Sequence, residues 1–275
     1  MSHASEMINK SRKIVVKVGT NTISGSDGRI DNQLVAQIAD QIAEMMEKHI
    51  QIVIVSSGAR ISGLAAINGW ARQDDMNYMQ ALCAIGQVEL INQYKKSFGK
   101  YGLQVGQMLL TRYDFTDAKR NLNIRNTLFT LVDENIIPII NENDTVCVVE
   151  IEEEMKKIGD NDSLAAMVAS LWNADLMIIL SDIDGIYDKN PRKYGDAKLI
   201  EVVDDVPALK RSIDMGMAGD FGVGGIETKI NAAETLLKYG IETILTNGKT
   251  SDILRDLSKG EGKSTVFVTK RKQVE

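Results

Sequence analysis

Cysteine and histidine are almost missing from this chain, with two of each in 275 residues. Cys83 and Cys147 lie far apart and form no CxxC pair, so neither a disulfide framework nor a zinc site is suggested, and two buried or half-buried thiols are expected. His3 sits in a polar leader and His49 at a helix end, which leaves no imidazole in any candidate loop for acid–base or triad chemistry. No apolar stretch approaches the roughly 18 residues that a membrane span needs, and the start lacks the apolar core of a signal peptide. A cytoplasmic protein with no membrane partner is expected. An excess of positive charge is missing as well: the net charge of −6 gives no broad basic footprint, which argues against nucleic acid as a partner.

What is present is an ordinary globular composition, 44% hydrophobic and 25% charged, long enough for one large α/β domain or two small ones. MSHASE reads as a polar leader ahead of Met7. Short apolar runs at 14–18, 51–55, 103–109, 136–140, 176–180, 241–245 and 265–268 read as strands, several ending in a polar or glycine break. Between them, helical spacing appears at 32–48, 61–68, 75–98, 121–133 and 162–171, and the run 221–225 opens a helix to about 239. Residues 146–158 alternate weakly and are rich in Glu, as in an exposed hairpin. Residues 183–212 look like short strands and turns, with Pro191 and Pro207 as breakers. Strands alternating with helices predict a mostly parallel open sheet covered by helices on both faces, an αβα sandwich. Ligands in such sheets bind beyond the carboxyl ends of the strands. Gly19-Thr20, Ser56-Ser57-Gly58, Asn141–Asp144 and Ser181-Asp182 each follow a strand, so they are expected to converge on one crevice.

Lys17 stands inside Ile14-Val15-Val16-Lys17-Val18, where an isolated buried ammonium would cost several kcal/mol unless paired with anions. Position alone fits either a strand-end lysine that snorkels to solvent or a point charge aimed at phosphate. The run Gly222-Val223-Gly224-Gly225-Ile226-Glu227-Thr228-Lys229 enters a helix, whose free N–H groups suit an anion, although its spacing is neither a Walker loop nor GxGxxG. Asn141-Glu142-Asn143-Asp144 and Asp160-Asn161-Asp162 suit caps and turns as well as a site. Glu150, Glu152, Glu153 and Glu154 fit a solvated hairpin face better than a metal site. Without histidine, a reaction needing no general base fits best. A side-chain carboxylate, with a pKa near 4.3, is already ionised at neutral pH and can attack phosphorus without losing a proton.

Taken together, IVVKVGT (14–20), VIVSSGA (53–59), VGQMLLTR (105–112), PIINENDTV (138–146), IGDNDSLAA (158–166), LSDIDGIY (180–187) and GVGGIETK (222–229) resemble glutamate 5-kinases of the amino-acid-kinase family, in order and approximate spacing. The resemblance extends from Lys13 to about Gly248, and VGQMLLTR and INEND separate this group from other amino-acid kinases. It implies transfer of the γ-phosphate of ATP, with Mg2+, to the side-chain carboxylate of L-glutamate. By it, Lys17 and Lys229 neutralise the transferring phosphoryl group and Asp162 orients them. Ser57, Gly58, Asn141, Asp144, Asp160 and Asn161 hold glutamate. Lys17, Gly19, Ser181, Asp182 and the stretch Val223, Gly224, Gly225, Ile226, Glu227, Thr228 and Lys229 line the nucleotide. No protein metal ligand is implied, magnesium being carried by ATP.

The resemblance further implies a single domain over 8–269, mainly glutamate-binding in its N-terminal part and ATP-binding in its C-terminal part, with a leader at 1–7 and a tail at 270–275. The PUA domain that many relatives carry is expected to be absent. Homo-oligomers, feedback inhibition by proline and a glutamyl-phosphate reductase partner are implied too. Arg60 and the acidic 150–158 hairpin depart from the family pattern. The nearest rival readings are kinases of the same fold acting on acetylglutamate, aspartate, carbamate or a nucleoside monophosphate, and a non-catalytic amino-acid sensor. INEND argues against the first and the trio Lys17, Asp162 and Lys229 against the second. A dinucleotide-dependent dehydrogenase lacks its GxGxxG motif.

Overall fold

The computed structural model describes residues 2–25, 27–67, 75–146, 161–191, 193–216 and 223–269. The valine- and isoleucine-rich runs pair as expected of strands apolar on both faces. Strands β1 (Lys13–Val18), β2 (Gln51–Ser56), β3 (Val105–Leu110), β4 (Ile137–Glu142), β5 (Leu176–Ser181), β6 (Val202–Val203), β7 (Glu242–Asn247) and β8 (Ser264–Phe267) form one sheet. Their order is β3-β4-β2-β1-β5-β7-β8-β6. All pairs are parallel except β7 with β8. The carboxyl ends of β4, β2, β1 and β5, neighbours in that order, therefore open on the same edge.

Two-residue alternation divides the strand side chains between two cores. Ile14, Val16 and Val18 face a cluster shared with α1 (His3–Lys10), α2 (Thr20–Ile23), α3 (Asn32–Glu47), α5 (Met76–Gly99) and α11 (Ile253–Lys259). Val15 faces the opposite cluster, built with α7 (Ala118–Asp133), α8 (Asn161–Trp172), α9 (Val206–Gly216) and α10 (Val223–Leu237). Lys17 falls on the Val15 side by the same alternation, toward α8. Two further helices, α4 (Ala59–Ile67) and α6 (Arg112–Thr116), follow β2 and β3 directly. Asp residues cap several helices in the usual way: Asp31 accepts from Gln33 and Leu34, and Asp75 from Asn77 and Tyr78.

Two expectations need correction. The polar leader is a helix: Ser2 caps α1, and Ala4, Met7 and Ile8 are buried against α11, a segment to which the sequence reading assigns no element. Residues 183–212 are not all short strands and turns, because α9 starts at Val206; Pro207 lies in its first turn, where a missing N–H costs nothing. The mostly parallel sheet expected from sequence is what forms, with β8 antiparallel to β7. The Glu-rich hairpin and Asp160 lie outside the described residues.

Helices α4 and α5 touch backbone to backbone. A Cβ at Gly86 would sit 1.8 Å from the Ala59 carbonyl oxygen, and one at Gly63 would sit 2.0 Å from that of Leu82. Glycine is required here by close approach. Gly86→Ala is expected to lower stability by about 1–3 kcal/mol through overpacking. Gly99→Ala, on the same helix with nothing near its Cβ, should leave stability unchanged or raise it by up to about 1 kcal/mol. Urea-unfolding midpoints compare the two; equal midpoints would contradict the close-contact account.

Candidate active site

Lys17 is 4% exposed and cannot snorkel to solvent. Its Nζ lies 2.6 Å from Oδ1 of Asp162, in the first turn of α8, where a carboxylate also meets the positive end of the helix dipole. The other carboxylate oxygen, Oδ2, accepts from Lys229 Nζ at 3.1 Å and from Thr228 Oγ1 at 2.9 Å. Lys229 Nζ also donates to the Gly225 carbonyl at 2.8 Å, which ties it back to the start of its own helix, α10. Asp162 is fully buried. Burial pushes its carboxyl upward, and the ammonium groups of Lys17 and Lys229 overcome that and hold it below the usual carboxylate range. Two positive groups and one negative group leave this buried cluster one positive charge in excess, which suits a phosphate.

Beside this cluster, at the ends of β2 and β4, lies a cavity of about 300 Å³ whose lining includes Thr20, Ser57, Gly58, Arg60, Cys83, Asn141, Asp144 and Asn161. Asn161, next in sequence to Asp162, joins the two features. Its Nδ2 donates to Ser57 Oγ at 2.6 Å and to Asn141 Oδ1 at 3.1 Å. Gly58 holds φ at +111°, a turn that a side chain would strain, and a Cβ there would also strike Ile23 at 2.8 Å. Burial raises the Asp144 carboxyl, against a hydrogen bond from the Cys83 thiol. Burial and the facing Asp144 push that thiol up to about 12, so it is no nucleophile. Larger hollows of about 590 and 810 Å³ lie among α6, α8 and α10 and beside α1, but neither contains the lysine–carboxylate cluster.

On the other side of β1, the Gly19 N–H donates to Leu180 O at 3.2 Å, and Ser181 and Asp182 follow at the end of β5. Ser181 Oγ donates to Asp182 Oδ1 at 3.3 Å, and Asn21 Nδ2 reaches Asp182 Oδ2 at 3.4 Å. Gly225 and Glu227 are exposed on the first turns of α10, while Ile226 packs on the core below. Val223 and Gly224 open that helix.

The structure thus brings Lys17, Asp162, Lys229 and Thr228 into one contact group, and Ser57, Gly58, Asn141, Asp144 and Asn161 around one cavity. It joins Gly19 to Ser181 and Asp182 only through neighbouring strand ends. Gln87 and Tyr94 were not expected from sequence. Gln87 accepts from Asn141 Nδ2 at 2.8 Å, and Tyr94 meets Ser56 Oγ at 2.9 Å, both from α5. The one signal for them is a polar atom on an otherwise apolar helix face.

Among the described residues, no cluster of three or more His, Cys, Asp or Glu could hold a metal, and both Asp162 oxygens are taken by lysines. This donor set fits a magnesium ion held mainly by nucleotide phosphates and water. No helix among the described residues is long and apolar enough to cross a membrane.

The sequence profile of the amino acid kinase family matches residues 12–247. A glutamate 5-kinase of Alkaliphilus oremlandii (strain OhILAs) is 55% identical over 262 residues, covering 95% of this chain and 98% of its own. A glutamate 5-kinase of Treponema pallidum (strain Nichols) is 40% identical over 94% of this chain and 96% of its own. Another, from Caldanaerobacter subterraneus, is 44% identical, and there the match spans 68% of the relative. Among solved structures, a UMP kinase from Ureaplasma parvum (16% identity, TM-score 0.64) covers 94% of this chain and 100% of its own. Carbamate kinase from Giardia lamblia bound to AMP-PNP (15% identity, TM-score 0.67) covers 94% and 99%. These two show the shared fold.

Asp162→Asn leaves two buried ammonium groups facing a neutral amide. It is expected to lower stability at pH 7 by about 3–5 kcal/mol. Because the folded-state carboxyl titrates below its unfolded value, its contribution is fully present above about pH 4 and is lost as pH falls through the folded value. Urea titrations from neutral to acid pH should therefore show the gap between wild type and variant closing below about pH 4. A gap independent of pH would contradict the assigned charge state.

Proposed function

We propose that this chain, which belongs to the amino acid kinase family and within it to the glutamate 5-kinases, transfers the γ-phosphoryl group of ATP to the side-chain carboxylate of L-glutamate, giving L-glutamyl 5-phosphate and ADP. The observation that carries this reading is the single buried carboxylate shared by two lysines from different elements, set beside a cavity walled by amides and hydroxyls. Glutamate occupies that cavity, with Ser57, Asn141, Asp144 and Asn161 as its partners and Gly58 giving close backbone approach. ATP lies toward Gly19, Ser181, Asp182 and the Val223–Lys229 turn of α10.

The acceptor carboxylate is ionised at neutral pH, so no residue has to take a proton from it. What remains for the protein is alignment and neutralisation of charge on the transferring group. Lys17 and Lys229 supply the charge. Asp162 holds both ammonium groups at fixed positions, and Thr228 adds a hydroxyl that restrains the carboxylate. A magnesium ion carried by the nucleotide would supply further neutralisation of the phosphate charge, beside the charges that Lys17 and Lys229 hold in place. Asp162 is a positioning residue, since each of its oxygens is already engaged by a lysine.

Proline shares the α-carboxylate and ammonium of glutamate, and its inhibition of this site is part of the proposal. The product is a reactive acyl phosphate, which calls for a reductase that consumes it. Assembly into homo-oligomers belongs to the same reading.

Hydroxamate trapping of the acyl phosphate tests it. Lys17→Ala and Lys229→Ala should each lower kcat by about 100-fold or more with folding retained. Wild-type turnover in both would remove the lysines from the reaction. Asp144→Ala should raise KM for glutamate far more than KM for ATP, and equal effects would move the Asn141–Asp144 turn out of the amino-acid site.

A further inference from the structure

Helix α5 turns three polar side chains toward the carboxyl ends of β2 and β4, and one of them, Cys83, lines the substrate cavity. Cys83, Gln87 and Tyr94 are spaced by four and then seven residues, which keeps them on one helix face. Their partners are Asp144, in the turn after β4, Asn141, near the end of β4, and Ser56, the last residue of β2. Gln87 is the one whose contact continues into the site. Its Oε1 accepts from Asn141 Nδ2 at 2.8 Å, Asn141 Oδ1 accepts from Asn161 Nδ2 at 3.1 Å, and the same nitrogen donates to Ser57 Oγ at 2.6 Å.

A side-chain amide carries its acceptor on one corner and its donors on the other, so fixing one member of such a chain fixes the rest. Gln87 accepts, so Asn141 must turn its oxygen to Asn161. Asn161 then spends its nitrogen on Asn141 and Ser57 and keeps Oδ1 as an acceptor, and that oxygen is buried without a hydrogen-bond partner among the described residues. Ser57 Oγ, having accepted, retains its proton to donate. Asn161 and Ser57, which both line the cavity, thus keep an acceptor and a donor for use, the pair that an α-ammonium and an α-carboxylate require. Gln87 Nε2 is itself buried and unpartnered among the described residues, so the residue acts on the chain through its oxygen alone.

We infer that Gln87 is a positioning residue that sets the polarity of this amide chain and thereby makes the cavity prefer a zwitterionic α-amino acid over the corresponding plain dicarboxylate. This rests on the glutamate kinase reading and adds to it a residue that touches neither substrate nor nucleotide.

The test compares glutamate with glutarate, which has the same two carboxylates and no ammonium, in wild type, Gln87→Met and Gln87→Glu. Methionine keeps the length and removes the acceptor; glutamate keeps an acceptor oxygen in the same place. Gln87→Met should raise KM for glutamate about 10-fold and narrow the glutamate-to-glutarate preference by a similar factor, with KM for ATP within about twofold of wild type. Gln87→Glu should keep the preference within about threefold of wild type, which a chain of opposite polarity would not allow. An unchanged preference in Gln87→Met, or Gln87→Glu behaving as Gln87→Met does, overturns the inference. If Gln87→Met has lost its fold, seen as loss of ATP binding by calorimetry, Gln87→Glu decides: a retained preference supports the inference and a lost one overturns it. A wild-type protein that phosphorylates no glutamate would overturn the kinase reading instead, and that result precedes any variant.

Discussion

The site depends on one buried carboxylate. Asp162 is shielded from water, and an uncompensated carboxylate there would cost several kcal/mol. Two ammonium groups offset that cost, one from the middle of the sheet and one from a helix on its face. The same interaction serves fold and function at once. It pins α8 and α10 to β1, and it holds two positive charges at fixed separation with one charge left over for a phosphoryl group. Lysine side chains are otherwise mobile, and holding them in advance removes reorganisation from the reaction step.

Around this point the sheet decides what can meet. Because β4, β2, β1 and β5 are parallel neighbours, their carboxyl ends present their turns on one edge without any long excursion of the chain. Helix α5 braces the carboxyl ends of β2 and β4 from behind, while the glycine contact between α4 and α5 sets how closely it can do so. The cavity is therefore shaped by a rigid helix as well as by loops, which favours precise placement of its polar groups.

Much of this was legible in the sequence, and the reasons are local. A β1 run as apolar as Ile14–Val18 leaves a lysine in it needing an anion, and the polar breaks after successive strands have one common destination in a parallel sheet. Less legible were features decided by distant partners. Helix α1 looked like a leader because its buried face meets α11, more than 240 residues away, and five of its eight residues are polar. Pro207 looked like a breaker because only the helix start makes it acceptable. Gln87 looked like any polar position on a long helix; its partner Asn141 comes from a different strand end 54 residues on. That Asp162 bridges two lysines came from family resemblance, since its position fits a helix cap equally well.

The central claim is that Asp162 works by holding charge and never by taking a proton. Neither histidine lies near the site: His3 borders the hollow beside α1, and His49 adopts the left-handed turn that ends α3. The pH dependence of kcat in wild type and Asp162→Asn, followed from about pH 5.5 to 8.5, tests this most directly. The account predicts no ascending limb with a pKa near 6–7 in wild type, and a lowered rate of the same pH profile in the variant. A wild-type kcat that rises through a single pKa of about 6–7, with that limb gone in Asp162→Asn, would identify Asp162 as a general base and contradict the account.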